Sequence, residues 1–171
     1  MYEYLRRYLR RGVKPLHRED SLREGARRLS VEQLTDLPVV DDEERIVGIF
    51  GEKELIEALT PPYLKGLTDT SFIARDFEDI ADYAVEVMDK PVGAVMRTEF
   101  ATLGPDFSVL HCAELFLHRR QGVMPIVEDG HPMALLRRAD LGRAIMEGAA
   151  SRAGLASEVD AAELPPEVTS K

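Results

Sequence analysis

The stretch that decides the fold is SLREGARRLSVEQLTDLPVVDDEERIVGIFGEKEL, Ser21–Leu55, because it occurs a second time as SVLHCAELFLHRRQGVMPIVEDGHPMALLRRADL, Ser108–Leu141. The two copies align at an offset of 87 residues through the apolar run around Pro38 and at 86 after it. A deletion of one residue in the turn of the second copy accounts for the change of offset from 87 to 86. Self-similarity of this kind predicts two equivalent structural units.

Each copy predicts a helix, two strands and a second helix. Ser21 and Glu24 suit a capping box at a helix N-terminus, and apolar residues follow at helical spacing. LPVVD (37–41) and IVGIF (46–50) predict buried strands, and EKELIEAL (52–59) resumes the helical period.

The second copy contains a hairpin signal. VMPIV (123–127) and PMALL (132–136) flank Asp129-Gly130, a dipeptide that accommodates the positive φ of a tight turn. One unit alone buries little apolar surface. The sequence therefore predicts an α+β fold of two pseudo-symmetric repeats packed sheet to sheet, with an additional helix between the repeats.

Composition sets the class of protein. The chain has 171 residues, 44% of them apolar and 31% charged, which is typical of one or two small globular domains. Cys112 has no cysteine to pair with, and no charge-free run exceeds seven residues, too short for a membrane span or a secretory signal. We therefore expect a cytoplasmic protein.

The charge is unevenly distributed. The net charge is −9, yet the first 28 residues hold nine Lys and Arg against four Asp and Glu. An acidic body argues against nucleic-acid binding, which depends on clustered cations. The segment MYEYLRRYLRRG predicts a basic amphipathic helix of about three turns. It is expected to pack on its own module or on a dimer partner, with membrane or nucleic-acid contact as the alternatives.

The repeated pattern of an apolar strand, a turn, a GIF-type strand and an acidic residue opening a helix resembles the cystathionine β-synthase (CBS) domain. Two such domains in tandem form a Bateman module. The resemblance implies regulatory binding of adenosine-containing ligands such as AMP, ADP, ATP or S-adenosylmethionine, in the cleft between the repeats. It implies no obligatory cofactor, no enzymatic activity and a homodimer that regulates an unidentified protein.

The resemblance also implies a ligand site. In the family, Asp near the start of the last helix binds ribose hydroxyls, and a residue three positions earlier favours phosphate. Asp140 and Arg137 hold these positions in the second copy, and Arg120 precedes the strand where relatives carry phosphate-binding cations. The predicted site comprises Asp140, Arg137, Arg120, Gln121, Gly122 and Arg138. The alternatives are a helix-capping role for Asp140 and a solvated charge pair at Arg119-Arg120.

The first copy has a weaker version of this site. Its residues are Glu54, Gly51, Lys53, Leu34 and Thr35, with a longer acid and no matching arginine. We therefore expect one nucleotide per chain, in the cleft of Asp140. A basic residue of the second copy that reached the first site would reverse this assignment.

Other candidate residues have simpler explanations. His111, Glu114 and His118 share a helix face and could bind a metal, but a polar exposed face explains them, so no metal site is predicted. Cys112 is expected to pack in the core, since no base accompanies it at a recognisable spacing. No glycine-rich phosphate loop, zinc motif or nucleophile elbow occurs, so no catalytic residue is predicted.

The expected organisation has five parts. They are a basic N-terminal helix (1–12), the first repeat (13–60), a linker with an amphipathic helix (61–90), the second repeat (91–147) and a flexible acidic tail (148–171). The linker segment before the helix is long enough for a lid or a dimer contact. The sequence predicts an adenine-nucleotide sensor in energy regulation. The alternative is a ligand-free dimerisation scaffold that contacts a partner or nucleic acid through the basic N-terminal helix.

Overall fold

A computed structural model describes residues 3–64 and 76–153. The elements are α1 (Glu3–Arg6), β1 (Leu16–His17), α2 (Leu22–Glu32), β2 (Asp36–Val40), β3 (Ile46–Gly51), α3 (Glu52–Leu59), α4 (Asp76–Val87), α5 (Val109–His118), β4 (Val123–Glu128), β5 (His131–Arg137) and α6 (Arg138–Arg152). Single 3-10 turns lie at Pro62–Leu64 and Val92–Ala94. The predicted α+β fold with two equivalent repeats is confirmed.

The two hairpins have the same irregularity. β1, β2 and β3 form one sheet, and β4 and β5 form the other. Each antiparallel ladder shifts register at the equivalent place, between Val39 and Val40 and between Ile126 and Val127. The predicted turn is present, since Asp129 and Gly130 have φ of 52° and 89°.

Hydroxyl caps begin the first helix of each repeat. Ser21 Oγ accepts the Glu24 N–H at 3.2 Å, and Ser108 Oγ accepts the His111 N–H at 3.0 Å. The carboxylate of Glu24 binds Arg27 at 2.6 and 2.8 Å. The predicted N-cap is therefore confirmed, while the glutamate is engaged within the helix.

The hydrophobic core joins the repeats. Leu37 and Phe50 of the first repeat lie in one buried cluster with Val123 and Leu135 of the second. Each of these four side chains is at most 2% exposed. The predicted packing of the two sheets is thus confirmed.

The linker helix α4 packs on the first repeat, and the apolar face expected for it is confirmed in part. The sequence favoured Phe77, Ile80, Ala81, Ala84, Val85 and Met88 as its apolar face. Val85 is 64% exposed, whereas Val87 is buried and Tyr83 packs partly against the same core. Four members of the expected face, Ile80, Ala81, Ala84 and Met88, are half-buried, whereas the side chain of Phe77 lies outside those described.

The N-terminal segment is shorter as a helix than predicted. α1 is a single turn, after which Arg10 makes an antiparallel bridge to Leu135 in β5. Backbone paired in this way is extended, so it ends the helix. Leu5 and Tyr8 are buried in the core of the second repeat, which confirms packing on the chain's own module.

The C-terminal boundary also differs. α6 continues through Arg152, so residues 148–152, expected as flexible tail, are helical. Their two alanines favour helix. The rest of the predicted tail (154–171), and residues 65–75 of the predicted lid or dimer contact, lie outside the described residues. No helix within 3–64 and 76–153 combines the length and apolarity of a membrane span.

Candidate functional site

The segments leading into the two repeats exchange places. Arg97, which precedes the second repeat, exchanges both backbone hydrogen bonds with Ile49 of the first, at 2.8 and 2.9 Å. Arg10, which precedes the first repeat, does the same with Leu135 of the second, at 2.9 Å for each bond. The two arginines are 87 residues apart, the same offset that relates the repeats. Each repeat therefore receives an arginine from the other repeat's leading segment.

Arg97 joins two buried carboxylates. Its Nη1 donates to Glu54 Oε1 at 2.7 Å, and its Nη2 donates to Asp36 Oδ1 at 3.2 Å. Asp36 and Glu54 are each 6% exposed. The other Glu54 oxygen accepts the Gly51 N–H at 3.1 Å, which fixes the carboxylate at the start of α3. The arginine, two carboxylates and this amide form one connected network, here called the Arg97 cluster.

A cavity of about 520 Å³ adjoins this cluster. One wall is the leading segment Met96–Glu99, and the other is the end of α5 with the residues after it, His118–Gln121. Three arginines line it, against one carboxylate, that of Glu99. Its volume falls within the range of about 300–1,000 Å³ that is usual for small-molecule sites. The cavity is lined by more cationic than anionic side chains and lies beside the contact that Arg97 makes with the first repeat.

Gln121 lines this cavity, and Gly122 follows it at a contact with the first repeat. The Gln121 side chain is buried, accepts the Ala101 N–H at 2.6 Å and donates to Ala101 O at 3.1 Å, so it ties the two walls together. Gly122 donates its N–H to Asp36 Oδ2 at 2.7 Å. A Cβ at Gly122 would overlap Thr35 Oγ1, so glycine permits the close approach of the repeats here. Both residues are predicted ligand residues, and the contacts described here join segments of the protein to each other.

Asp140 lies in a different environment from Arg120. It is 3% exposed, and its two oxygens accept bonds from Arg137 Nε and Nη2 at 2.6 and 2.7 Å. This bidentate pair raises the pKa of Arg137. Burial and the nearby charge of Arg137 lower the pKa of Arg10, whose Nη1 donates to Glu32 O at 2.8 Å.

The residues predicted for the Asp140 cleft therefore lie in two different places. Arg120 lines the cavity with Arg97, which binds Glu54, whereas Asp140 is held by Arg137 in the field of Arg10. Arg97 of the second repeat therefore reaches the acid of the first repeat, which is the kind of contact named above as able to reverse the assignment.

The remaining predicted residues lie outside the cavity lining. Arg138 has an exposed side chain and donates its backbone N–H to Gly122 O at 2.9 Å. Lys53 is exposed beside Glu57, and Leu34 is buried in the core of the first repeat. Thr35 donates its hydroxyl to Asp36 Oδ2 at 3.1 Å.

Sequence reasoning missed Arg97 and Asp36. Arg97 donates to partners 43 and 61 positions away, Glu54 and Asp36, so its local sequence carries no sign of them. The offset of 87 residues between the repeats, which relates Arg97 to Arg10, is the sequence feature that could have indicated Arg97.

The other candidate groups have ordinary environments. His111 Nδ1 lies 3.2 Å from Glu114 Oε2 on an exposed helix face. Among the described residues, no group of three or more His, Cys, Asp or Glu is placed to hold a metal ion. Cys112 is fully buried, and burial raises the pKa of its thiol to about 12. That thiol remains protonated and packs as a small apolar side chain, as predicted.

Comparison with known proteins identifies the repeats. The sequence model of the CBS domain matches residues 5–61 and 92–147, which together are more than half of the chain. The chain belongs to the CBS-domain family.

One curated relative and two solved structures show the likeness. The A-adding tRNA nucleotidyltransferase of Aquifex aeolicus is 25% identical over 127 residues, which are 74% of this chain and 12% of that enzyme. The CBS-pair protein CBSX2 of Arabidopsis thaliana is 20% identical, with a TM-score of 0.65, covering 84% of this chain and 94% of that one. CBSX2 in complex with AMP gives 19% identity and a TM-score of 0.62, covering 87% and 99%. At this identity the structures show the shared CBS-pair fold.

Proposed function

We propose that this CBS pair is a regulatory module that binds an adenine nucleotide in the cavity beside the Arg97 cluster and signals occupancy to a partner protein. The observation that carries the proposal is the cavity itself, which is lined by three arginines and adjoins the contact of Arg97 with the first repeat. The AMP complex of CBSX2 supports adenine nucleotides as the ligand class.

The Arg97 cluster fixes the position of one arginine that lines the cavity. Two carboxylates hold the Arg97 guanidinium in place, so little side-chain entropy is lost when a phosphate binds it. Glu54 and Asp36 act here as positioning residues, and Arg97 is the group proposed to contact phosphate. Arg97 also joins the leading segment of one repeat to α3 of the other. A ligand that binds Arg97 therefore acts on the contact between the repeats.

We propose one nucleotide per chain, at this cavity rather than at Asp140. The Asp140 carboxylate already accepts two hydrogen bonds from Arg137, at 2.6 and 2.7 Å. A ribose at that position would have to compete with a bidentate ion pair. Arg97 is ion-paired as well, with Asp36 and Glu54, so the preference for this cavity rests on Arg119 and Arg120, which also line it.

An adenine nucleotide is expected to raise the melting temperature. A ligand bound to the folded state alone, at one hundred times its Kd, stabilises the fold by about 2.7 kcal/mol. For a chain of this size that corresponds to a shift of roughly 5–10 °C. Scanning fluorimetry with AMP, ADP, ATP and S-adenosylmethionine measures the shift, with inorganic phosphate as the control ligand.

The Asp140→Ala variant distinguishes the two clefts. Its nucleotide affinity is expected to stay within about threefold of the wild type, measured by titration calorimetry with a stoichiometry of one. Loss of binding in Asp140→Ala would move the site to the second cleft. If no adenosine compound shifts the melting temperature at millimolar concentration, the scaffold function replaces the sensor.

We also propose that the module is a homodimer. Leu110 and Leu117, two turns apart on α5, are each 81% exposed, and Ile145 and Met146 on α6 are 47% and 64% exposed. Exposed apolar side chains grouped on two helices favour an interface with a second copy. Light scattering should give twice the chain mass of 19.2 kDa, and a value near 19.2 kDa would contradict the dimer.

A further inference from the structure

The cavity has two kinds of arginine. Arg97 is ion-paired with two carboxylates, whose combined charge exceeds its own by one, and its side chain is 18% exposed. Arg119 and Arg120 are exposed and follow the end of α5. Within the described part of the chain, neither of them has a carboxylate within ion-pair distance. Among the described residues, positive charge without an ion-pair partner is therefore concentrated on the exposed side of the cavity, where Glu99 is the one carboxylate in the lining.

This distribution has a consequence for the ligand. A monophosphate that contacts Arg97 satisfies a cation already compensated by Asp36 and Glu54, and it leaves the outer arginines unpaired. A ligand with two or three phosphates has more negative charge available to pair with Arg119 and Arg120. A sulfonium ligand such as S-adenosylmethionine brings positive charge to a wall that is already positive.

We propose that the cavity selects a nucleoside di- or triphosphate over the monophosphate and over S-adenosylmethionine, with Arg119 and Arg120 as the specificity-determining residues. The inference rests on the proposed function, because it assumes that an adenine nucleotide occupies this cavity. It adds a preference for the number of phosphates on the nucleotide. Membership of the CBS-domain family does not decide that preference.

The test measures affinities for ATP, ADP, AMP and S-adenosylmethionine by titration calorimetry without divalent cations. We expect wild-type affinity for ATP to exceed that for AMP by about tenfold or more, since each charge-assisted contact contributes roughly this factor. The double variant Arg119→Ala/Arg120→Ala should lower ATP affinity about 10- to 100-fold and change AMP affinity less than threefold. Added salt should reduce the preference for ATP, because the outer arginines are exposed.

A matched control removes two positive charges elsewhere. Arg11 and Arg152 are exposed and do not line the cavity, so Arg11→Ala/Arg152→Ala should keep the preference for ATP. Equal affinity of the wild-type protein for ATP and AMP, or an equal loss in both double variants, would overturn the inference while the proposed function stands. If none of the four compounds binds, the proposed function itself fails.

Discussion

Replacing Arg97 with methionine should cost about 3–5 kcal/mol of folding free energy, because it leaves two buried carboxylates without their cation. Asp36 and Glu54 are each only 6% exposed, and the arginine donates a hydrogen bond to each. Methionine keeps much of the side-chain length, so the loss reflects charge more than volume. Urea denaturation of both proteins measures the difference.

A rescue variant separates charge from packing. Asp36→Asn and Glu54→Gln, added to Arg97→Met, remove both uncompensated charges and keep an oxygen that can accept the Gly122 and Gly51 N–H groups. The triple variant should recover most of the lost stability, since replacing a whole buried ion network is often neutral. A single variant within about 1 kcal/mol of the wild type, or no gain in the triple variant, would contradict this account.

The rescued protein also tests the site. It is expected to fold and yet to lose most of the nucleotide-induced rise in melting temperature, because the proposed phosphate contact of Arg97 is gone. Arg138→Met, an exposed arginine whose side chain is outside the cavity lining, changes one charge and should leave stability within about 0.5 kcal/mol. Retention of the full nucleotide shift in the triple variant would remove Arg97 from the site.

Local chemistry made the elements of the repeats predictable. The helix predicted over 52–59 is observed with those bounds, and the Asp129-Gly130 turn has the positive φ values that its residues favour. In both places the relevant interactions are within a few residues of each other. Because the second copy aligns with the first, the same order of helix, two strands and helix was predicted for it.

Long-range contacts account for what was missed. The exchange of the leading segments brings Arg97 to β3, and no local pattern encodes a pairing between residues 48 positions apart. The same exchange ends α1 early, because Arg10 is drawn into a bridge with Leu135. The sequence placed Arg120 and Glu54 in different candidate sites, and the contact of Arg97 with Glu54, which links the two repeats, could not be inferred from local spacing.

Phe50 should give the other large effect, a loss of about 3–5 kcal/mol in Phe50→Ala. Its ring is fully buried and packs on the backbone of α2 at Gly25, where an added Cβ would lie 2.5 Å from Phe50 Cε1. With no side chain at Gly25 to fill the space, truncation leaves a cavity. Thermal and urea denaturation measure the loss, and Phe50→Leu provides a milder variant that should remain folded.

The partner of this contact supplies the control. Gly25→Ala alone should cost about 1–3 kcal/mol by overpacking against the ring, and combining it with Phe50→Leu should cost less than the sum of the two. Phe50 does not line the cavity, so folded Phe50→Leu should bind nucleotide with wild-type affinity. Additive losses would show that the ring and Gly25 are not in contact. A loss of nucleotide affinity equal to that of the rescued Arg97 variant would show that the Arg97 cluster affects binding only through general stability, and not through a contact with the ligand.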